Sequence, residues 1–98
     1  MPLLLLRVAT AWPVPGLGLL ALPSGSTPHL LPYALHTAVA VATTGPDGHR
    51  YEATATVEEI TQPGATASVR GLLLDVGTIL DLLPGTEIWL REGAGPGL

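Results

Sequence analysis

Cysteine, lysine and phenylalanine are all absent from this chain, and charge of either sign is scarce. Without cysteine there is no disulfide framework, no thiolate nucleophile and no cysteine-based zinc site. Without lysine, the only strongly basic side chains are Arg7, Arg50, Arg70 and Arg91, and the net charge is −4. A nucleic-acid binder needs a concentrated basic footprint to neutralise phosphates. Four scattered arginines in an acidic chain do not make one, so composition argues against a nucleic-acid partner. Charged residues are 12% of the chain, about half the usual ~25%, whereas apolar residues are 47%. High aliphatic content with low charge is the reverse of the disorder signature. It also leaves few charges to coat a monomer, so a protein partner or a second copy (a homodimer) is expected to cover part of the surface.

Long apolar runs are also missing. A membrane helix needs about 20 continuous apolar residues. The apolar N-terminal stretch is interrupted at Arg7 and again at Pro13, Pro15, Gly16 and Gly18. It lacks the basic flank and cleavage pattern of a leader, so it reads as two strands, with no membrane contact and a cytoplasmic setting expected.

What is present is punctuation. Ten prolines and twelve glycines divide 98 residues into short pieces, which suits many short strands and disfavours long helices. The chain is long enough for one domain with its own core. The expected organisation is a single barrel over residues 1–92 and a flexible Gly/Pro-rich tail over 93–98.

In order, residues 3–12 form a first strand, with Leu4, Leu6, Val8 and Trp12 on one face and Leu3, Leu5, Arg7 and Ala9 on the other. A Pro-Gly turn leads into a second strand, Leu17 to Leu22, where Gly18 marks a bulge or a close backbone approach. Pro23 to Pro32 reads as a surface loop. Residues 34–43 make a third strand, with Leu35, Val39 and Val41 on one face. Gly45-Pro46-Asp47-Gly48 is a hairpin turn. The return strand, His49 to Thr61, alternates Tyr51, Ala53, Ala55 and Val57 with polar residues. Its phase slips at Glu58–Glu59, which predicts a β-bulge. Ala67 to Leu74 is the fifth strand. A helical turn is expected between Asp75 and Leu83, with Asp75 or Thr78 as its cap, Thr78 and Asp81 in a capping-box variant, and Pro84 ending it. Gly85 turns the chain into a last strand, Thr86 to Arg91, with Ile88 and Leu90 inward and Glu87, Trp89 and Arg91 outward. Six short strands predict an all-β fold: a small closed or nearly closed six-stranded antiparallel barrel with one short helical turn. Closure removes the bare edges that so small a sheet would otherwise expose.

The order of these features resembles the β-barrel domain II of translational GTPases such as elongation factor Tu. The resemblance rests on Pro15-Gly16-Leu17-Gly18 between the first two strands, Thr56-Val57-Glu58-Glu59-Ile60 after the central hairpin, Val69 to Leu74, and Leu83-Pro84-Gly85-Thr86-Glu87-Ile88 before the closing strand. It covers roughly residues 3–91 and implies the barrel as a stand-alone bacterial module. It implies no functional residue, because short Gly-dependent motifs identify a backbone path and not an activity. It does raise an alternative function, an RNA- or ribosome-associated module using Arg7, Arg50, Arg70 or Arg91.

Chemistry-bearing residues form no constellation. His29, His36 and His49 lack the spacing of convergent metal ligands, so no metal is expected. Glu58 and Glu59 are neighbours on a strand and point to opposite faces, whereas a catalytic carboxylate pair must face itself across a cleft. Ser24, Ser26 and Ser68 have no nucleophile elbow. The chain carries no phosphate-binding loop, and no cofactor is expected. The expected activity is binding without catalysis. Trp89, Leu3, Leu5, Leu20 and Trp12 fall on faces with no obvious core to fill, and these five are the candidate interface residues.

Overall fold

The computed structural model describes residues 3–25, 27–61, 64–75 and 82–91. Six strands form a closed antiparallel barrel in the order β1-β2-β5-β4-β3-β6. They are β1 (Leu3–Val14), β2 (Gly18–Pro23), β3 (Ala38–Thr44), β4 (Arg50–Ile60), β5 (Val69–Asp75) and β6 (Glu87–Leu90). Closure depends on β1, whose first half pairs with β6 and whose second half pairs with β2. A strand that serves two partners must bend. The pairing registers shift between Leu4 and Leu6 on the β6 side and between Val8 and Thr10 on the β2 side, as extra residues at bulges bend strands elsewhere.

Turn chemistry sets the hairpins. Pro15 and Gly16 occupy the centre of the β1–β2 turn, with Gly16 at φ +78° and the Leu17 N–H donating to the Val14 carbonyl at 2.9 Å. Pro next to a positive-φ Gly is the type II pattern. Between β3 and β4, the Gly48 N–H donates to the Gly45 carbonyl at 2.9 Å, and Gly48 takes φ +86°. Gly85, at φ +94°, reverses the chain before β6 as expected, and the Thr86 N–H donates to the Leu83 carbonyl at 3.0 Å.

The core fills the barrel with aliphatic side chains: Leu6, Val8, Val41, Val57, Leu72, Leu74 and Ile88 are all buried. Each such burial is worth roughly 1.5–3 kcal/mol. The segment expected to be a surface loop supplies the plug. Pro28–Leu30 forms a single 3-10 turn, and Leu30 joins the core fully buried while Leu31, its neighbour, is 63% exposed. Thr27 anchors this turn by donating its hydroxyl to the Arg70 carbonyl at 3.0 Å.

Three other expectations change. Leu35 lies before β3 and is exposed, because the chain is still turning there, with His36 at φ +69°. The bulge expected at Glu58–Glu59 does not form: β4 pairs with β5 without a shift from Thr54 to Ile60. The phase slip in the sequence has another cause. Glu59 is at the barrel end, where an inward position opens to water and lies 3.7 Å from Arg70. Ile60 points outward and packs over Gly71, where a side chain would stand 3.0 Å from its Cδ1. The helical turn expected between Asp75 and Leu83 falls largely on residues 76–81, and the tail at 93–98; both lie outside the described residues.

Candidate interaction surface

In a closed barrel the outward side chains of neighbouring strands line up in rows across the wall. Trp12 of β1 is opposite Leu20 of β2, Leu20 is opposite Leu73 of β5, and Leu73 is opposite Thr56 of β4. Their inward neighbours Ala21, Leu72 and Leu74 belong to the core, so this row is on the outside. Trp12 is 43% exposed, and Leu20 and Leu73 are half-buried. Flanking rows run from Thr10 to Leu22 and from Val14 to Gly18 on β1–β2, and continue on β4–β5 as Gly71 opposite Glu58 and Asp75 opposite Thr54. Three positions on each of four strands make twelve; Leu22 and Gly71 are buried, and of the other ten only Glu58 and Asp75 carry charge. Thr10 also lines an open groove of about 410 Å³ with Ala9, Pro23, Ile60, Ala67 and Val69, and among the described residues no charged side chain borders it. An aromatic and two leucines on a charge-depleted wall are the composition of an interface core.

The five residues expected at an interface do not form one cluster. Trp12 and Leu20 are register partners. Trp89 is outward, as expected, but stands on the far wall, opposite Leu4 of β1 and Ala42 of β3. It is half-buried, and Ala42 is only 4% exposed. Leu3 is opposite Leu90, and both pack against the core. Leu5 is itself a core residue, 3% exposed; this corrects its expected outward placement. The register shift between Leu4 and Leu6 breaks strict alternation around it. The second shift, between Val8 and Thr10, turns Trp12 away from the core and packs Ala11 against it instead. Leu73 was missed, although the run Leu72-Leu73-Leu74 in a strand must put its middle member on the opposite face.

These placements separate the two tryptophans energetically. Trp89→Ala is expected to cost about 2 kcal/mol, roughly half of a full core truncation, and Trp12→Ala less than about 1 kcal/mol. Urea midpoints of the two variants check this; a larger loss at Trp12 than at Trp89 would contradict the assignment of faces.

The arginines are all engaged. Arg7 pairs with Glu87 at 2.6 Å, Arg91 with Glu52 at 3.3 Å and Arg50 with the same carboxylate at 3.8 Å. Arg70 donates to the Tyr33 carbonyl at 3.4 Å. Among the described residues, no three of His, Asp and Glu gather into a metal-holding group. His29 is part of the 3-10 turn, His36 contacts Glu58 at 3.0 Å, and His49 contacts Asp47 at 2.6 Å.

The Asp47–His49 pair sits in the hairpin turn, and each partner favours the other's charged form. The side-chain hydrogen bond to His49, helped by its backbone N–H, lowers the Asp47 pKa from its ordinary 3.8, and the same side-chain bond raises that of His49 above 6.5. The stabilisation is therefore fully present between those two ordinary values. It is lost at acid pH as Asp47 protonates at its lowered pKa, and at higher pH as His49 deprotonates at its raised one. An NMR titration of the His49 ring should give a pKa above the ordinary value, returning towards it in Asp47→Asn. An unchanged titration in that variant would show that the pair does not form.

Among the described residues, no helix is long and apolar enough to cross a membrane. Comparison with protein-family models, curated proteins and solved structures finds no match for this chain.

Proposed function

We propose that this chain is a non-enzymatic β-barrel interaction module, acting in the cytoplasm, that binds protein through the outer wall of β1, β2 and β5. The observation that carries the proposal is the Trp12–Leu20–Leu73 row, which places a 43%-exposed tryptophan beside two leucines on a wall with little charge. Large aromatics in such settings dominate binding energies. A second copy of the chain is the other protein that such a wall fits. The likeness to domain II of translational GTPases belongs to this proposal as a shared backbone path, supported by the glycine turns at Gly16 and Gly85. The RNA-associated alternative has less support, since Arg7, Arg50 and Arg91 are each paired with a glutamate.

Affinity capture with immobilised wild-type and Trp12→Ala chains, read beside light scattering of both, tests the proposal. Proteins retained by the wild type and lost from the variant, or self-association that Trp12→Ala abolishes, are the expected results. Identical behaviour of the two chains contradicts it. Salt-sensitive RNA retention unaffected by Trp12→Ala would favour the arginine-based alternative.

A further inference from the structure

The docking wall has a charge pattern of its own. Its two charged positions are both acidic, and no arginine falls among its twelve positions. Glu58 is already occupied: it accepts from the Thr56 hydroxyl at 2.9 Å and contacts the His36 ring. Asp75 is different. It is exposed and makes no ion pair among the described residues. It ends β5 two residues beyond Leu73 on the same outer face, hence about 7 Å from it along the strand. The neighbouring position on β2 is Gly18, which carries no side chain and lies close against the β5 main chain: a Cβ there would meet the Leu74 carbonyl and, at 3.4 Å, the Asp75 Cα.

We propose that the segment docking on the Trp12–Leu20–Leu73 row belongs to a partner protein and carries a lysine or arginine beside its apolar anchor, with Asp75 receiving that cation. This rests on the protein-binding reading of the same wall and specifies its partner. A second copy of the chain is the poorer fit. Two such walls face to face bring acids together with no arginine in either, and like charges across an interface select against the pairing. Elsewhere on its surface a second copy offers Arg7, Arg50 and Arg91, but these are paired with Glu87 and Glu52.

Fluorescence anisotropy with three labelled amphipathic peptides separates the possibilities. All carry leucines at helical spacing; their polar positions hold lysine, glutamine or glutamate. The expected result is tightest binding by the lysine peptide, about fivefold over the glutamine peptide at low salt, with the difference shrinking as salt rises. Asp75→Asn should remove that difference and leave glutamine-peptide affinity unchanged. Glu58→Gln should change little, and Trp12→Ala should weaken every peptide. Asp75 and Trp12 are exposed, so both variants are expected to fold; their thermal melts confirm it, with Leu73→Thr as a second test of the row. If lysine and glutamine peptides bind equally and Trp12→Ala weakens both, the cation assignment is overturned and the docking wall stands. If Trp12→Ala and Leu73→Thr change nothing, or no peptide binds, the docking wall fails with it. A wild-type dimer that buries Trp12 overturns the partner assignment in favour of a second copy.

Discussion

Gly18→Ala is expected to destabilise the barrel by about 4 kcal/mol, a large share of the 5–15 kcal/mol typical of a small domain. Two effects coincide at this position. Gly18 takes φ +138°, a backbone conformation that side-chain-bearing residues rarely adopt. A Cβ there would also overlap the Leu74 carbonyl oxygen and stand 2.9 Å from its carbon. The obstacle is main chain of β5, the strand to which β2 is hydrogen-bonded, so the side chain cannot be accommodated by rotating a neighbour. The two strands must separate at the end of the row that holds Leu20 and Leu73. Gly16 provides the comparison. It has φ +78°, but nothing lies within 4 Å of a Cβ built there. Gly16→Ala should therefore cost only about 1 kcal/mol, the conformational term alone. Urea denaturation of the two variants measures the contrast, and equal losses would mean that β2 and β5 do not approach as closely as described.

Leu30→Ala is expected to cost about 2–5 kcal/mol, the range for deleting a buried leucine side chain and leaving a cavity. The 3-10 turn Pro28–Leu30 closes one end of the barrel with a single fully buried side chain. Few neighbours can collapse into the gap, because the surrounding core residues are fixed on hydrogen-bonded strands. Leu31→Ala, one residue along and 63% exposed, should change stability by less than about 0.5 kcal/mol. Denaturation midpoints that ranked these two leucines the other way would show that the plug is misassigned.

The strands, the main turns and closure into an all-β barrel were legible because they depend on local chemistry. Asp47-Gly48 and Pro84-Gly85 demand particular backbone angles, and the alternation from Tyr51 to Val57 is strict. Faces were harder to read where both sides of a strand are apolar. In Leu3-Leu4-Leu5-Leu6 no polar residue marks the outside, so the register shifts that bury Leu5 and turn Trp12 outward left no trace in hydropathy. At Glu58–Glu59 the reverse held: polarity changed because the barrel ended, and a bulge was the wrong explanation. The Trp12–Leu20 part of the site was anticipated, but Leu73 and Asp75 join it only through the pairing of β2 with β5. That pairing links residues some fifty positions apart, and nothing local in the chain encodes it. Read locally, Asp75 is one of two caps for a helical turn, a reading that hides its place on the outer wall.

The most direct test of the docking wall is acrylamide quenching of Trp12 in a Trp89→Phe background, where Trp12 is the only tryptophan, with and without the leucine–lysine peptide. The expected result is a red-shifted, readily quenched emission in the free chain that shifts blue and becomes protected when the peptide binds. A Trp12 that is already blue-shifted and shielded in the free chain, or one that stays fully open to quencher while the peptide is bound, would contradict the assignment of this wall as the binding face.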